Sequence, residues 1–146
     1  TLMRLANDCA NIAGVKEASG DMDQIRDVIA RRPEGFSVLS GDDVVTLDLI
    51  RAGGDGVIAV TSNLLPERMT ALVQAALDGD FEQAEAVHQE LTPVFEATAV
   101  ETNPIPIKYA LSLVGRCEEV YRLPMCEPGS ASKTLIRETM QRMQLL

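Results

Sequence analysis

A lysine at position 16 stands inside Ile12-Ala13-Gly14-Val15-Lys16-Glu17-Ala18, a short run bounded by Asn11 and by the turn-forming Ser19-Gly20-Asp21. Its Ile, Val, Ala and Gly content reads as a buried strand. A period of two puts Ile12, Gly14, Lys16 and Ala18 on one face and Ala13, Val15 and Glu17 on the other. An ammonium held in low dielectric loses hydration and gives up its proton more readily. The neutral amine is then a nucleophile that condenses with a carbonyl compound to a Schiff base. The plainer alternative is a strand-end lysine that extends to solvent with Glu17 nearby. Against it stand the scarcity of lysine, three (Lys16, Lys108, Lys133) beside ten arginines, and the space that Gly14 and Ala18 leave around Lys16 on its own face.

Other residue types invite chemistry less strongly. Asp42 and Asp43 are adjacent acids that general acid/base catalysis could use, but they stand just before a helical pattern, where capping and helix-dipole stabilisation are the preferred roles. His88 is the only histidine and has Glu85, Gln89 and Glu90 for neighbours, so it reads as a solvated surface residue rather than a ligand or base. Tyr109 and Tyr121 are the only tyrosines, and both read as packing residues of a helical tail. Glu82, Glu85, Glu90, Arg137 and Arg142 read as solvated helix faces. Cys9, Cys117 and Cys126 are odd in number and lack CxxC spacing, which points to neither a disulfide framework nor a zinc site and fits a reducing cytosol.

The elements that must position Lys16 repeat three times. The first unit is the lysine strand followed by a helix over residues 22–32, with Met22, Ile25, Val28 and Ile29 on one stripe and Pro33 and Gly35 beyond it. The second is a strand over 36–40, a Gly41-Asp42-Asp43 loop with a capping acid, and a helix over 44–51 ended by Gly53-Gly54. The third is a strand over 56–60, a loop over 61–65, and a helix that Pro66 opens and Gly79 follows. Ahead of them, residues 2–6 read as the end of a helix. Consecutive strand-loop-helix units imply parallel strands and α/β architecture.

The alternation stops at residue 80. Asp80 caps a helical stretch to about residue 98 that is expected to kink or break at Pro93. Asn103-Pro104-Ile105-Pro106 reads as extended or turning, followed by a helix over 107–114 and a last one over 132–143. Residues 1–79 thus form one part and the helical residues 80–146 another. Three parallel strands do not close a barrel and leave two strand edges exposed. A (β/α)8 barrel typically takes about 250 residues, so the chain reads as the last three βα units of a (β/α)8 TIM barrel followed by a helical C-terminal domain.

The 146 residues, 46% of them hydrophobic, suffice for a sizeable core. A formal net charge of -9 argues against nucleic acid and anionic membranes as partners. No apolar run approaches membrane-spanning length, and residues 1–7 lack a signal peptide's apolar core.

Five motifs occur in order: GVKEASGD at 14–21, LSGDD at 39–43, GGDGVIAVTSN at 53–63, NPIPIK at 103–108 and RLPM at 122–125. Their sequence and spacing resemble the C-terminal half of the dihydrodipicolinate synthase family, over essentially the whole chain. The resemblance implies a pyruvate-dependent class I aldolase of lysine biosynthesis in the cytoplasm, acting with neither metal nor cofactor and assembling as a homotetramer. Lys16 matches the lysine that forms an imine with pyruvate, whose enamine attacks L-aspartate 4-semialdehyde to give 4-hydroxy-tetrahydrodipicolinate. Gly41 matches a position beside the bound pyruvate; by sequence alone it is equally a plain turn glycine. Ile58 matches a position whose backbone contacts the pyruvate carboxylate, although periodicity alone makes it an ordinary core isoleucine. Asn103, Pro104 and Pro106 match a brace over the barrel mouth.

The family's proton-relay tyrosine, the threonine beside it, the arginine that recruits the aldehyde and the lysine feedback site belong to the upstream half. The expected partner is therefore that N-terminal half of the barrel, and the chain alone is expected to turn over poorly. A nicked enzyme, a fragment and a shortened gene product all fit. Two alternatives stay open: a sibling pyruvate aldolase of the N-acetylneuraminate lyase or keto-deoxy sugar acid type, and a non-catalytic assembly subunit.

Overall fold

The computed structural model describes all 146 residues. Helix α1 (Leu2–Asp8) leads to strand β1 (Gly14–Glu17), helix α2 (Met22–Arg31), strand β2 (Ser37–Ser40), helix α3 (Thr46–Arg51) and the two-residue strand β3 (Gly56–Val57). A 3-10 turn (Thr61–Asn63) precedes α4 (Pro66–Leu77), α5 (Phe81–Thr98), α6 (Ile105–Leu113) and α7 (Ser130–Arg142). Each of the three expected βα units is present, and the strands are parallel in the order β1-β2-β3. Lys16 pairs with Leu39, and Leu39 with Gly56.

The sheet has one covered face. Phe36 and Val38 point into a cluster with Ile25 and Val28 of α2, Leu47, Leu49 and Ile50 of α3, Met69, Leu72 and Ala76 of α4, and Ala84, Val87, Leu91 and Phe95 of α5. Ile25, Val38, Leu49, Leu72 and Leu91 are fully buried, and burying each such side chain contributes about 1.5–3 kcal/mol. The opposite face is open: Lys16 is exposed, and Ile58, just past β3, keeps 48% of its surface. Isoleucine 58 is therefore not the core residue that periodicity suggests, because its face of the sheet has no covering layer.

A second cluster joins Val94 and Ala97 of α5 to Leu64, Ile107, Tyr109, Ala110, Ile136 and Met140. Helix α5 serves both clusters from different stripes, with Ala84, Val87, Leu91 and Phe95 at helical spacing on one and Val94 and Ala97 on the other. Packing on both sides keeps it unbroken from Phe81 to Thr98 with Pro93 inside it, contrary to the break that the proline suggests. The helix expected from residue 107 begins at Ile105, since Pro106 falls in its first turn, where no backbone N–H is needed.

Capping follows the sequence at α2, where Asp21 accepts from the N–H groups of Asp23 (2.9 Å) and Gln24 (3.2 Å), and at α5, where Asp80 accepts from Gln83 N–H at 3.0 Å. It does not at α3. That helix starts at Thr46 with no side-chain cap, and Asp42 and Asp43 are used otherwise.

Candidate active site

Lys16 is the third residue of β1, on the face away from the helices. It is exposed, and none of the chain's ion pairs involves it. The expectation of a lysine buried within its strand is not met. The buried polar residue of β1 is its neighbour Glu17, at 6% exposure, on the face packed against α2. Glu17 survives there because its carboxylate is satisfied, accepting from Gln24 Nε2 at 2.8 Å and from Ser19 N–H at 3.3 Å. The Lys16 amine instead looks across the open face, and any exclusion of water from it must come from outside this chain.

Gly41 and Ile58 meet at the end of the sheet towards which Lys16 stands. Two positions beyond the Lys16–Leu39 pair, the parallel register brings Ala18, Gly41 and Ile58 side by side past the C-terminal ends of their strands. Gly41 N–H donates to Glu17 O at 2.6 Å and Ile58 N–H to Ser40 O at 2.8 Å, which extends the ladder into both loops. Gly41 has no positive φ. Its glycine identity is a matter of space: a Cβ there would lie 2.6 Å from Ala18 Cβ, 2.9 Å from Lys16 Cε and 3.0 Å from Glu17 O. The crowding that excludes a side chain at Gly41 thus comes from Ala18, the Lys16 stem and the Glu17 carbonyl.

Beside this row lies a cavity of about 280 Å3. Ala18, Gly41, Asp43 and Val60 line it from the strand ends, and Glu101 and Asn103 from the α5–α6 connection. Asn103 thus stands over the strand ends, as a brace would. Glu101 fixes this connection by accepting from Gly129 N–H at 2.9 Å, and the Ser132 hydroxyl, then that N–H, hold its carboxyl below the ordinary carboxylate range.

Sequence reasoning missed the role of Asp43. Asp43 is buried, and its carboxylate accepts from Val60 N–H at 3.0 Å and Thr61 N–H at 2.7 Å. Asp42 accepts from Val44 N–H at 3.1 Å, and its carbonyl receives the Ser40 and Thr46 hydroxyls at 2.7 and 2.9 Å. The acids brace two loops rather than cap a helix. Only long-range pairing separates these uses, and adjacent acids before a helix carry no sign of it.

The remaining candidates stay away from this end of the sheet. His88 is half-buried rather than solvated, with its ring 5.5 Å from that of Phe95 and its Nδ1 enclosed without a partner. Tyr109 is buried and its hydroxyl accepts from Arg137 at 3.2 Å, a packing role as expected. Tyr121 is half-buried under Lys108, whose ammonium lies 5.4 Å from the ring centre. No group of three His, Cys, Asp or Glu side chains is arranged to hold a metal ion, and no helix is long and apolar enough to cross a membrane.

The comparisons agree with the family resemblance of the five motifs. The model of the dihydrodipicolinate synthetase family matches residues 1–143. The chain belongs to this family. The 4-hydroxy-tetrahydrodipicolinate synthase of Chlorobium phaeobacteroides (strain BS1) is 46% identical over 146 residues, which are 100% of this chain and 49% of that protein. The crystal structure of dihydrodipicolinate synthase from Aquifex aeolicus matches with a TM-score of 0.95 at 40% identity, covering 99% of this chain and 49% of that one. The chloride-inhibited dihydrodipicolinate synthase of Acinetobacter baumannii, in complex with pyruvate, matches with a TM-score of 0.93 at 30% identity over 99% of this chain. The chain spans about half the length of the dihydrodipicolinate synthases that it matches.

Proposed function

We propose that this chain is the pyruvate-binding half of a Schiff-base aldolase that condenses pyruvate with L-aspartate 4-semialdehyde to 4-hydroxy-tetrahydrodipicolinate in lysine biosynthesis, in the cytoplasm. The observation that carries the proposal is the approach of Gly41 to Lys16, in which the glycine's missing Cβ leaves room beside Cε at the strand ends. Family membership supports it independently.

In this reading the Lys16 amine adds to the keto carbon of pyruvate, and loss of water leaves a protonated imine. That cation takes up the electron pair of a methyl C–H bond as the proton departs, giving an enamine. The enamine carbon forms the new C–C bond to the aldehyde carbon, whose oxygen gains a proton, and the amino group carried by the semialdehyde unit then attacks the re-formed imine carbon, closing the ring and expelling the Lys16 amine. Gly41 and the backbone at Ile58 flank the pyruvate unit. The open sheet face and the free edges of β1 and β3 are where an upstream half would complete a (β/α)8 barrel. Residues 1–79 then form the last three βα units of that barrel and 80–146 its helical extension, in a homotetramer. Covering the open face also supplies the dehydration that Lys16 lacks in this chain. Proton transfers typically contribute about 10²–10⁴-fold, so the chain without upstream acids and bases turns over slowly.

The experiment is borohydride reduction in the presence of pyruvate, with and without the upstream half of a relative, followed by mass spectrometry. A pyruvate adduct on Lys16 is the expected result. No adduct with that half present would sink the proposal and favour a non-catalytic assembly subunit. Faster turnover of sugar aldehydes than of aspartate semialdehyde would assign a sibling aldolase.

A further inference from the structure

We infer that Asp43 is a positioning residue for the keto-acid site, a clasp between the loops that follow β2 and β3. The inference rests on the pyruvate reading of Lys16 above. Gly41 and Asp43 belong to the β2–α3 connection, which is fixed to β1 by the Gly41 N–H bond to Glu17 O (2.6 Å). Ile58 belongs to the next connection, and its N–H bond to Ser40 O (2.8 Å) is the last rung of the ladder there. Beyond that rung the sheet no longer dictates the path of the chain, and the next tie to a neighbouring loop is the Asp43 carboxylate. Its Oδ1 receives Val60 N–H at 3.0 Å and its Oδ2 receives Thr61 N–H at 2.7 Å, one oxygen to each donor. Asp43 is buried and Thr61 is fully buried, so the Thr61 bond in particular is shielded from water.

The geometry uses both oxygens of the carboxylate. Two consecutive N–H groups present two donors side by side, and each oxygen takes one of them. An asparagine puts an NH2 against one of them. Helix capping does not account for the placement, since α3 begins three residues later and takes no cap from Asp43. The clasp holds the two connections together just beyond Gly41 and Ile58, and so steadies the ends of the ladder beside Lys16. Reacting groups displaced by about 1 Å lose roughly 100-fold in rate, so a mobile clasp is felt first in pyruvate binding and imine formation.

The test compares wild type, Asp43→Asn and Asp43→Ala in the enzyme assembled from this chain and an upstream half. It reads the pyruvate concentration that half-saturates the borohydride-trapped adduct on Lys16, beside the melting temperature. Ile136→Val, in the remote α6–α7 core, serves as a destabilised control. Half-saturation is expected to rise roughly 10- to 100-fold in Asp43→Ala and by less in Asp43→Asn, with trapping at saturating pyruvate still on Lys16. The control shifts the melting temperature alone. A half-saturation within about twofold of wild type in either Asp43 variant, with a lower melting temperature, overturns the inference and leaves Asp43 a purely structural residue. Should Asp43→Ala fail to fold, Asp43→Asn decides by the same criterion. If wild type traps no pyruvate, the Lys16 reading itself falls; if wild type traps and the variants match it, only the clasp does.

Discussion

Gly41 and Lys16 share one volume: a methyl group on the glycine would stand 2.9 Å from Lys16 Cε and 2.6 Å from Ala18 Cβ. The lysine stem can swing aside, but the Ala18 Cβ is fixed to the backbone and cannot. Gly41→Ala therefore forces the loop away from β1, at a cost of about 1–3 kcal/mol typical of overpacking. Borohydride kinetics with pyruvate should show adduct formation slowed roughly 100-fold. Trapping at the wild-type rate would mean that the close approach has no part in the chemistry.

Lys16 separates reactivity from stability. It is exposed and unpaired, so Lys16→Ala should leave the unfolding free energy within about 0.5 kcal/mol of wild type while abolishing the pyruvate adduct. The other two lysines are engaged elsewhere: Lys133 bridges Glu119 at 2.6 Å and Glu127 at 2.9 Å, and Lys108 donates to Val120 O. Peptide mapping after reduction checks this, and an adduct retained on Lys108 or Lys133 in Lys16→Ala would refute it.

Glu17 shows the reverse behaviour. Its carboxylate is buried behind β1 with Gln24 and Ser19 as donors, and Glu17→Ala strands those donors without touching the open face. A loss of about 1–3 kcal/mol is expected in urea unfolding, with the Lys16 adduct still formed by the folded fraction. An unchanged urea midpoint would show that the pair contributes nothing.

These two neighbours also mark where the sequence is readable and where it stops. Apolar periodicity, Pro66 and the glycines after each helix place the three βα units to within a few residues, because local chemistry governs turns and caps. The motifs single out Lys16, Gly41 and Ile58, and the register sets Gly41 beside Ile58 with Lys16 two positions before them. The period of two separates Lys16 from Glu17 correctly but is silent on which face is covered, and here helices cover the face of Glu17. Asp43 escapes for a similar reason, since its donors lie 17 and 18 residues ahead in the chain. Pro93 is misread as a breaker because two packed clusters outweigh one missing backbone bond.

Tyr121 makes the fold sensitive to alkali. Burial first, and the charge of Glu119 second, push its phenol from 10.0 up to about 12. The unfolded chain releases this proton near pH 10 while the folded chain holds it to about pH 12. The stabilisation is thus complete below pH 10 and lost as pH rises through about 12. Lys133 acts with the same sign, raised first by its hydrogen bond to Glu119 and then by that to Glu127. It is unchanged in Tyr121→Phe, so the difference between the two proteins isolates the phenol. Urea melts at pH 8, 10 and 11 should show a shallower alkaline fall for Tyr121→Phe. The variant should lose no stability at pH 8, because the Tyr121 hydroxyl is enclosed without a partner. Parallel curves for the two proteins would exclude this origin.

The open sheet face predicts how the chain behaves alone. Ile58 keeps 48% of its surface, Lys16 and a half-buried Leu39 lie on the same side, and β1 and β3 each pair on one edge only. Unpaired strand edges beside apolar surface template further pairing, so the 146-residue chain should self-associate with rising concentration. An upstream half that adds strands to both edges removes the template and covers Ile58 at once. Light scattering over a roughly tenfold concentration range checks this: the apparent mass should climb for the chain alone and hold constant once the upstream half is added. Ile58→Asp should weaken self-association by placing a charge on the exposed face. A concentration-independent monomer without the upstream half would show that the face is content in water, and the case for a barrel completed across it would lose its physical motive.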